Sequence, residues 1–248
     1  MREQVAREHE LVQLLHADAE FRRTQLQTAV MDLDPLAVWT DFDHLRDYTN
    51  LGPEHLLEWE QIGEYLKLHV LFRVALLYGA YSFTAKVRPD LEAKWIREGR
   101  SPMDRIQRLV AKQIGKQSLN GLEFCYVVEG RSRSGKSRTG LHLHGFFVAD
   151  DPIIATGFKQ VMEKAIAMHP KGRKAAGISP KAGPEVVIER AYDSGHPDEG
   201  TSGRWATYIA KNATKWDARL GKKPIYMSQT ATQLAREFWA FLREEPVV

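Results

Sequence analysis

The segment 141–148, Leu-His-Leu-His-Gly-Phe-Phe-Val, constrains the fold of this chain more than any other. Apolar residues and histidines alternate through its first half, and a period of two is the pattern of a β-strand. Successive side chains of a strand point to opposite faces of the sheet, so His142 and His144 share one face. The sequence therefore predicts a sheet with one face in a core and one face that presents two imidazoles, which suit a divalent cation.

Residues 122–129 (LEFCYVVE) form a second predicted strand, joined to the first by a loop of Gly, Arg, Ser and Lys. We expect the two strands to pair as a hairpin. The sequence thus predicts an α+β fold, with a central antiparallel sheet flanked by helices. The other predicted elements are helices at 1–30, 54–78, 101–116, 150–168, 204–215 and 228–243, and strands starting at residue 80 and spanning 186–192.

Charge is divided unevenly along the chain. Residues 1–75 contain 7 Lys and Arg against 14 Asp and Glu, whereas residues 76–248 contain 28 against 18. We therefore predict an acidic helical N-terminal region, 1–75, followed by a basic domain, 76–248. An excess of basic residues favours a polyanionic partner, and nucleic acid is the usual one.

Cysteine content and hydropathy bear on the compartment. The single cysteine, Cys125, excludes an intramolecular disulfide, and its apolar surroundings in the sequence predict a buried residue. The most apolar stretch, 66–83, is interrupted by Lys67, His69 and Arg73, and the N-terminus lacks the apolar segment of a signal peptide. We expect a cytoplasmic protein that does not enter a membrane.

Tyr208 and Lys211 lie three residues apart in the predicted helix 204–215, so the two side chains share one helix face. A phenol, with a pKa of about 10, is a weak nucleophile at neutral pH, whereas a nearby cation favours the phenolate and neutralises phosphate charge. The pair is suited to attack on a phosphate. Trp205 is predicted to be a core residue rather than a platform for a stacked base.

The order of these motifs resembles that of the HUH endonucleases, and among them the rolling-circle replication initiators (Rep proteins) with one catalytic tyrosine. The strand with His142 and His144 is followed by a helix, a strand and a helix that carries Tyr208. The segment 81–85, Tyr-Ser-Phe-Thr-Ala, is similar to the first motif of that family, although Lys86 departs from it. The resemblance covers residues 78–220 and implies that 76–248 is an HUH endonuclease domain with an RRM- or ferredoxin-like sheet.

This resemblance implies that His142, His144 and an acidic residue hold a Mg²⁺ or Mn²⁺ ion. Glu129 ends the strand before the histidine strand, where many initiators place the acidic ligand. Glu123 has the same parity on that strand and is the alternative. The resemblance also implies that Tyr208 attacks a DNA phosphate and that Lys211 assists by stabilising phosphate charge.

The substrate implied by the family is single-stranded or hairpin DNA at a replication origin of a plasmid or phage. Nicking would give a 5'-phosphotyrosine bond and a free 3'-hydroxyl. The length leaves no room for a helicase domain, so a host helicase and polymerase are the expected partners; the sequence does not define an oligomeric state. An HUH transposase and a non-catalytic module that binds single-stranded nucleic acid are the alternatives.

Two basic loops are candidate contacts for the DNA backbone. The first satisfies the phosphate-loop pattern GxxxxGK[ST] at 130–137, but the histidine strand follows it where a phosphate loop requires a helix. We therefore predict contacts to DNA rather than ATP binding. For each of the two loops the alternative is a solvated surface loop without a partner. The residues concerned are Arg131, Arg133, Lys136 and Arg138 in the first loop, and Lys171, Arg173 and Lys174 in the second.

Overall fold

The computed structural model describes residues 58–131, 138–167, 185–191, 205–206, 208–209, 219–220 and 224–243. These residues form helices and a five-stranded antiparallel sheet, which confirms the predicted α+β class. The predicted helix 1–30 lies outside them. The helices are α1 (Glu64–Tyr78), α2 (Pro89–Arg97), α3 (Pro102–Lys116), α4 (Pro152–Ala165) and α5 (Gln229–Arg243), and the strands are β1 (Ala80–Lys86), β2 (Phe124–Arg131), β3 (Arg138–Val148), β4 (Val186–Ala191) and β5 (Ile225–Met227).

Strand β3 occupies the centre of the sheet, whose strand order is β4-β1-β3-β2-β5. All neighbouring strands are antiparallel, and β2 and β3 form the predicted hairpin. Thr84 of β1 is paired with His144, whereas Lys86 of β1 and Glu129 of β2 are paired with His142 from its two sides. Because paired side chains of an antiparallel ladder project from the same face, these residues all lie on the histidine face.

The opposite face of the sheet packs against α2, α3 and α4 through an aromatic core. The ring of Phe147 on β3 lies 4.3 Å from that of Phe158 on α4, and the ring of Phe83 on β1 lies 5.1 Å from it. Ile106 and Val110 of α3 belong to the same buried cluster. Burial of these large side chains stabilises the sheet from the side away from the histidines.

The histidine face is covered by α1 and α5 over only part of its length. The ring of Phe146 on β3 lies 4.7 Å from that of Phe72 on α1, and Trp239 of α5 belongs to the same cluster. Along β3, burial decreases from Phe146 and His144, which are both buried, to His142, which is half-buried. The end of this face that carries the histidines is therefore accessible to solvent.

The starts of α3 and α4 follow from the sequence. The hydroxyl oxygen of Ser101 accepts a hydrogen bond from the Asp104 N–H, and a carboxylate oxygen of Asp151 accepts one from the Ile153 N–H at 2.7 Å. Each helix has proline in its first turn, where the missing N–H has no partner to lose. The predicted starts of both helices are confirmed.

Three elements differ from the sequence prediction. The helix predicted from Glu54 begins at Glu64, because Gly63 precedes it and residues 59–62 form a turn whose Trp59 and Ile62 are already buried. Helix α2 and the three-residue strand β5 were not predicted. Helix α1 also spans the boundary predicted between residues 75 and 76. Among the described helices, none has the length and apolar character of a membrane span.

Candidate metal centre

Glu129, His142 and His144 converge on the accessible end of the histidine face. The Nε2 atoms of His142 and His144 lie 3.3 Å and 3.4 Å from Oε2 of Glu129. Glu129 and His144 are buried, and His142 is half-buried. One ligand atom from each residue lies within 4.8 Å of the others, so the three side chains form a group that can hold a metal ion.

Of the two carboxylates considered from the sequence, Glu129 is the one beside the histidines. It is paired with His142 across β2 and β3. Glu123 precedes β2, and its carbonyl accepts a hydrogen bond from the N–H of Val148 at 2.9 Å. Six residues of extended chain span about 20 Å, so Glu123 lies at the opposite end of the hairpin and does not reach the histidines.

The ring orientations direct the Nε2 atoms at the shared centre. Nδ1 of His142 lies 3.0 Å from the carbonyl oxygen of Gly140, which can only accept, so Nδ1 carries the proton of a neutral ring. Nδ1 of His144 lies 3.0 Å from Oγ1 of Thr84. The Thr84 hydroxyl can donate or accept, so this contact orients the His144 ring without fixing its tautomer. Each ring thus has its Nδ1 hydrogen-bonded and its Nε2 facing the carboxylate, which is how metal-binding histidines are oriented.

The spacing of the ligand atoms fits a small divalent ion. Ligand atoms about 2.1 Å from an ion are about 3.0 to 3.5 Å from each other in octahedral or tetrahedral coordination. The two separations from Glu129 to His142 and His144 lie within this range. Two imidazoles and one carboxylate leave further coordination positions for water or substrate.

Tyr208 lies directly beside this group. Its ring is 5.2 Å from that of His144 and perpendicular to it, and it stacks at 5.1 Å on Trp205. The indole N–H of Trp205 donates a hydrogen bond of 2.9 Å to the carbonyl of Gly145 on β3. The described helical residues 205–206 and 208–209 are thus attached to the central strand, with Tyr208 39% exposed.

Trp205 and Thr84 both contact residues of the site, which the sequence did not indicate. Trp205 packs on the hydrophobic cluster of the histidine face, as a core residue would, but it is half-buried and contacts both Tyr208 and His144. Thr84 lies in the motif-like segment 81–85, where no role was assigned to it. Its pairing with His144 could be found only from the strand register.

Several predicted site residues lie outside the described part of the chain, so the structure places only some of the predicted set. Arg131 ends β2 and Arg138 begins β3, and the two are paired in the hairpin. Cys125 is fully buried as predicted, and burial raises the pKa of its thiol. The residues outside the described ranges are Lys211, Arg133, Lys136, Lys171, Arg173 and Lys174.

The described sheet and helices define an α+β protein with a carboxylate, two imidazoles and a phenol at one end of the central strand. No family model, curated protein or solved structure matches this chain. A functional assignment therefore has to be argued from the side chains of the site.

Proposed function

We propose that this protein is a metal-dependent endonuclease of the HUH class that nicks and joins single-stranded DNA through Tyr208. The observation that carries the proposal is the contact between the Tyr208 ring and His144, a member of the Glu129, His142 and His144 group. A phenol and a metal-binding group 5.2 Å apart, ring to ring, can act on the same phosphate. Tyr208 is also exposed enough to meet a DNA strand.

The ion proposed for this site is Mg²⁺ or Mn²⁺, since water and phosphate oxygens would complete its coordination. When bound, such an ion polarises the scissile phosphate and neutralises part of its charge. His142 and His144 present their Nε2 atoms, and Glu129 presents one carboxylate oxygen. Thr84 and the Gly140 carbonyl keep the two rings in position through their Nδ1 atoms.

The reaction proposed for Tyr208 is an in-line displacement at phosphorus. The phenolic oxygen forms a bond to phosphorus and the bond from phosphorus to the 3' oxygen breaks. The phosphate then joins the tyrosine oxygen to the 5' oxygen of the downstream strand. The phenol loses its proton to solvent, and the departing 3' oxygen takes up a proton. Because the phosphotyrosine retains the phosphodiester energy, attack by a 3'-hydroxyl reverses the step and joins the strand.

Positive charge near the site supports a DNA substrate. Lys86 is paired with His142 across β1 and β3, on the histidine face, and it is exposed. A lysine on this face of the sheet favours the approach of a phosphate backbone. We propose that Lys211, three residues after Tyr208 in the sequence, contributes a second positive charge, and that the basic loops contribute further backbone contacts.

The test is the formation of a covalent DNA adduct. The purified chain is incubated with a library of circular single-stranded DNA and Mn²⁺, and adducts are resolved on a denaturing gel and located by mass spectrometry. Tyr208→Phe keeps the ring and removes the hydroxyl, so we expect it to abolish the adduct. Tyr78→Phe, at a tyrosine of α1 that is 49% exposed against 39% for Tyr208, is the matched control and should leave the adduct unchanged.

Each outcome of this experiment bears on the proposal. A Mn²⁺-dependent adduct on Tyr208 supports it, and the trapped ends identify the target: a single origin-like site indicates a replication initiator, whereas two distinct element ends indicate a transposase. DNA binding without an adduct, in the presence of Mg²⁺ or Mn²⁺, would contradict the catalytic role and favour a non-catalytic binding module.

A further inference from the structure

A buried charged pair contacts the backbone of the β2–β3 hairpin next to two of the metal-site residues. Arg219 and Glu92 of α2 form an ion pair whose side chains are only 10% and 13% exposed. An ion pair this well buried contributes less to stability than its Coulomb energy suggests, because both charges have lost their hydration. A buried pair of this kind can instead serve to hold neighbouring groups in one arrangement.

Glu92 is connected to His142 through a single peptide group. Oε2 of Glu92 accepts a hydrogen bond from the N–H of Leu141 at 3.0 Å, and the carbonyl of the same peptide, that of Gly140, accepts one from Nδ1 of His142 at 3.0 Å. A carboxylate on the N–H polarises the peptide and makes its carbonyl a stronger acceptor. Glu92 thus reinforces the hydrogen bond that orients His142.

Arg219 makes the corresponding connection on the other strand of the hairpin. One of its guanidinium nitrogens donates to Glu92, and the other donates to the carbonyl oxygen of Gly130, the residue after Glu129. The register of β2 and β3 shifts at this point, between Glu129 and Arg131. The arginine therefore fixes the backbone next to the carboxylate ligand where the regular ladder is interrupted.

We propose that Glu92 and Arg219 are positioning residues for the metal centre, which set the orientation of His142 and the backbone at Glu129. This inference rests on the metal site of the proposed function but not on the reaction with DNA. It makes a specific statement about His142: the Nδ1–H tautomer, with Nε2 directed at the metal, depends on the carboxylate of Glu92 through the Gly140–Leu141 peptide. His144, which contacts Thr84 instead, does not depend on Glu92.

The first experiment measures Mn²⁺ affinity from the electron paramagnetic resonance signal of the free ion, on the full chain without DNA. Glu92→Gln keeps the shape of the side chain and removes its charge, and we expect Mn²⁺ to bind about 10- to 100-fold more weakly. The matched control is Glu60→Gln. Glu60 pairs with Arg236 at 2.6 Å, but these side chains are 67% and 50% exposed and have no hydrogen bond or ion pair with a ligand residue in the described part of the chain, so the affinity should not change.

The second experiment separates positioning from stability. Nitrogen-15 NMR of the histidine rings reports the tautomers without metal, and we expect Glu92→Gln to increase the Nε2–H form of His142 and to leave His144 unchanged. Arg219→Lys keeps the charge and removes the planar two-nitrogen contact. It serves as the test variant if Glu92→Gln does not fold, and it should also weaken Mn²⁺ binding.

The outcomes distinguish this inference from the proposed function. If Glu92→Gln, or Arg219→Lys in its place, binds Mn²⁺ within twofold of wild type, the positioning role is overturned. If the wild-type chain binds no Mn²⁺, both the inference and the metal site are wrong. If Mn²⁺ binding depends on Glu92 but no DNA adduct forms, the inference stands and the proposed reaction fails.

Discussion

Gly145 follows His144 on β3, and its replacement by alanine tests how closely β2 and β3 approach at the centre of the sheet. A Cβ atom at Gly145 would lie 2.1 Å from the carbonyl oxygen of Cys125 and 2.6 Å from Cζ of Phe83. Carbon and carbonyl oxygen in ordinary contact are about 3.3 Å apart, so the two strands would have to separate by about 1 Å. Overpacking of this kind costs about 1 to 3 kcal/mol, and because the nearest atom belongs to the backbone we expect a value near 3 kcal/mol.

The assay is urea unfolding followed by circular dichroism, with thermal unfolding as a second measure. A loss of about 3 kcal/mol corresponds to a fall in Tm of about 6 to 12 °C for a chain of this size. Adding Phe83→Leu to Gly145→Ala should recover little of the lost stability, because the smaller side chain at position 83 does not move the Cys125 carbonyl, which is the nearest atom. Gly157→Ala on α4 is the control: its Cβ would meet only Leu119, at 3.5 Å, so the variant should be as stable as wild type or more so. A surface substitution usually changes the free energy of unfolding by no more than about 0.5 kcal/mol. If Gly145→Ala stays within that limit of wild type, the close approach of the two strands is refuted.

Three further predictions concern single contacts of the site and the core. Thr84→Val removes the hydroxyl beside Nδ1 of His144, so Mn²⁺ affinity measured by titration calorimetry should fall about tenfold, and Thr84→Ser should restore it. Trp205→Phe removes the hydrogen bond to the Gly145 carbonyl, and the free energy of unfolding should fall by about 0.5 to 1.5 kcal/mol; no change would show that this bond does not hold the helix. Burial raises the pKa of the Cys125 thiol above its value of about 8.5 in the unfolded chain. Above that pH the thiol ionises more readily in the unfolded chain, so the free energy of unfolding falls by about 1.4 kcal/mol per pH unit. Wild type should therefore lose more stability than Cys125→Ala between pH 8 and 10, a prediction contradicted by parallel unfolding curves.

The parts of the fold that follow a simple period could be predicted from the sequence. The alternation in 141–148 gives a strand with both histidines on one face, and proline with a capping residue marks the start of α4. Helix α2 also begins with a proline, Pro89, but Arg88 before it makes no side-chain cap, and Trp95 is the one buried residue of the helix, so no buried apolar face repeats along it. Strand β5 is three residues long, and it pairs with β2 from about 100 positions further along the chain.

The candidate site, like the fold, could be predicted only where a sequence pattern carries the information. Parity alone could not separate Glu129 from Glu123, since both have the same parity in the predicted strand 122–129; the observed register, which pairs Glu129 with His142, decides between them. The roles of Glu92 and Arg219 could not be predicted, because each contacts the hairpin through one hydrogen-bonded backbone group. Contacts of that kind depend on where the chain returns in space, and they leave no spacing in the sequence.

The central position of β3 has a consequence for how a metal ion would enter the site. Both edges of this strand are hydrogen-bonded to neighbouring strands at His144, so its amide should exchange with solvent only when the whole sheet opens. Two of the three ligands are therefore held in place by the sheet before any ion arrives. We expect metal uptake to proceed with a small change in heat capacity, unlike that of small domains that fold around their ion. A chelator should accordingly remove the ion and leave the circular dichroism spectrum unchanged.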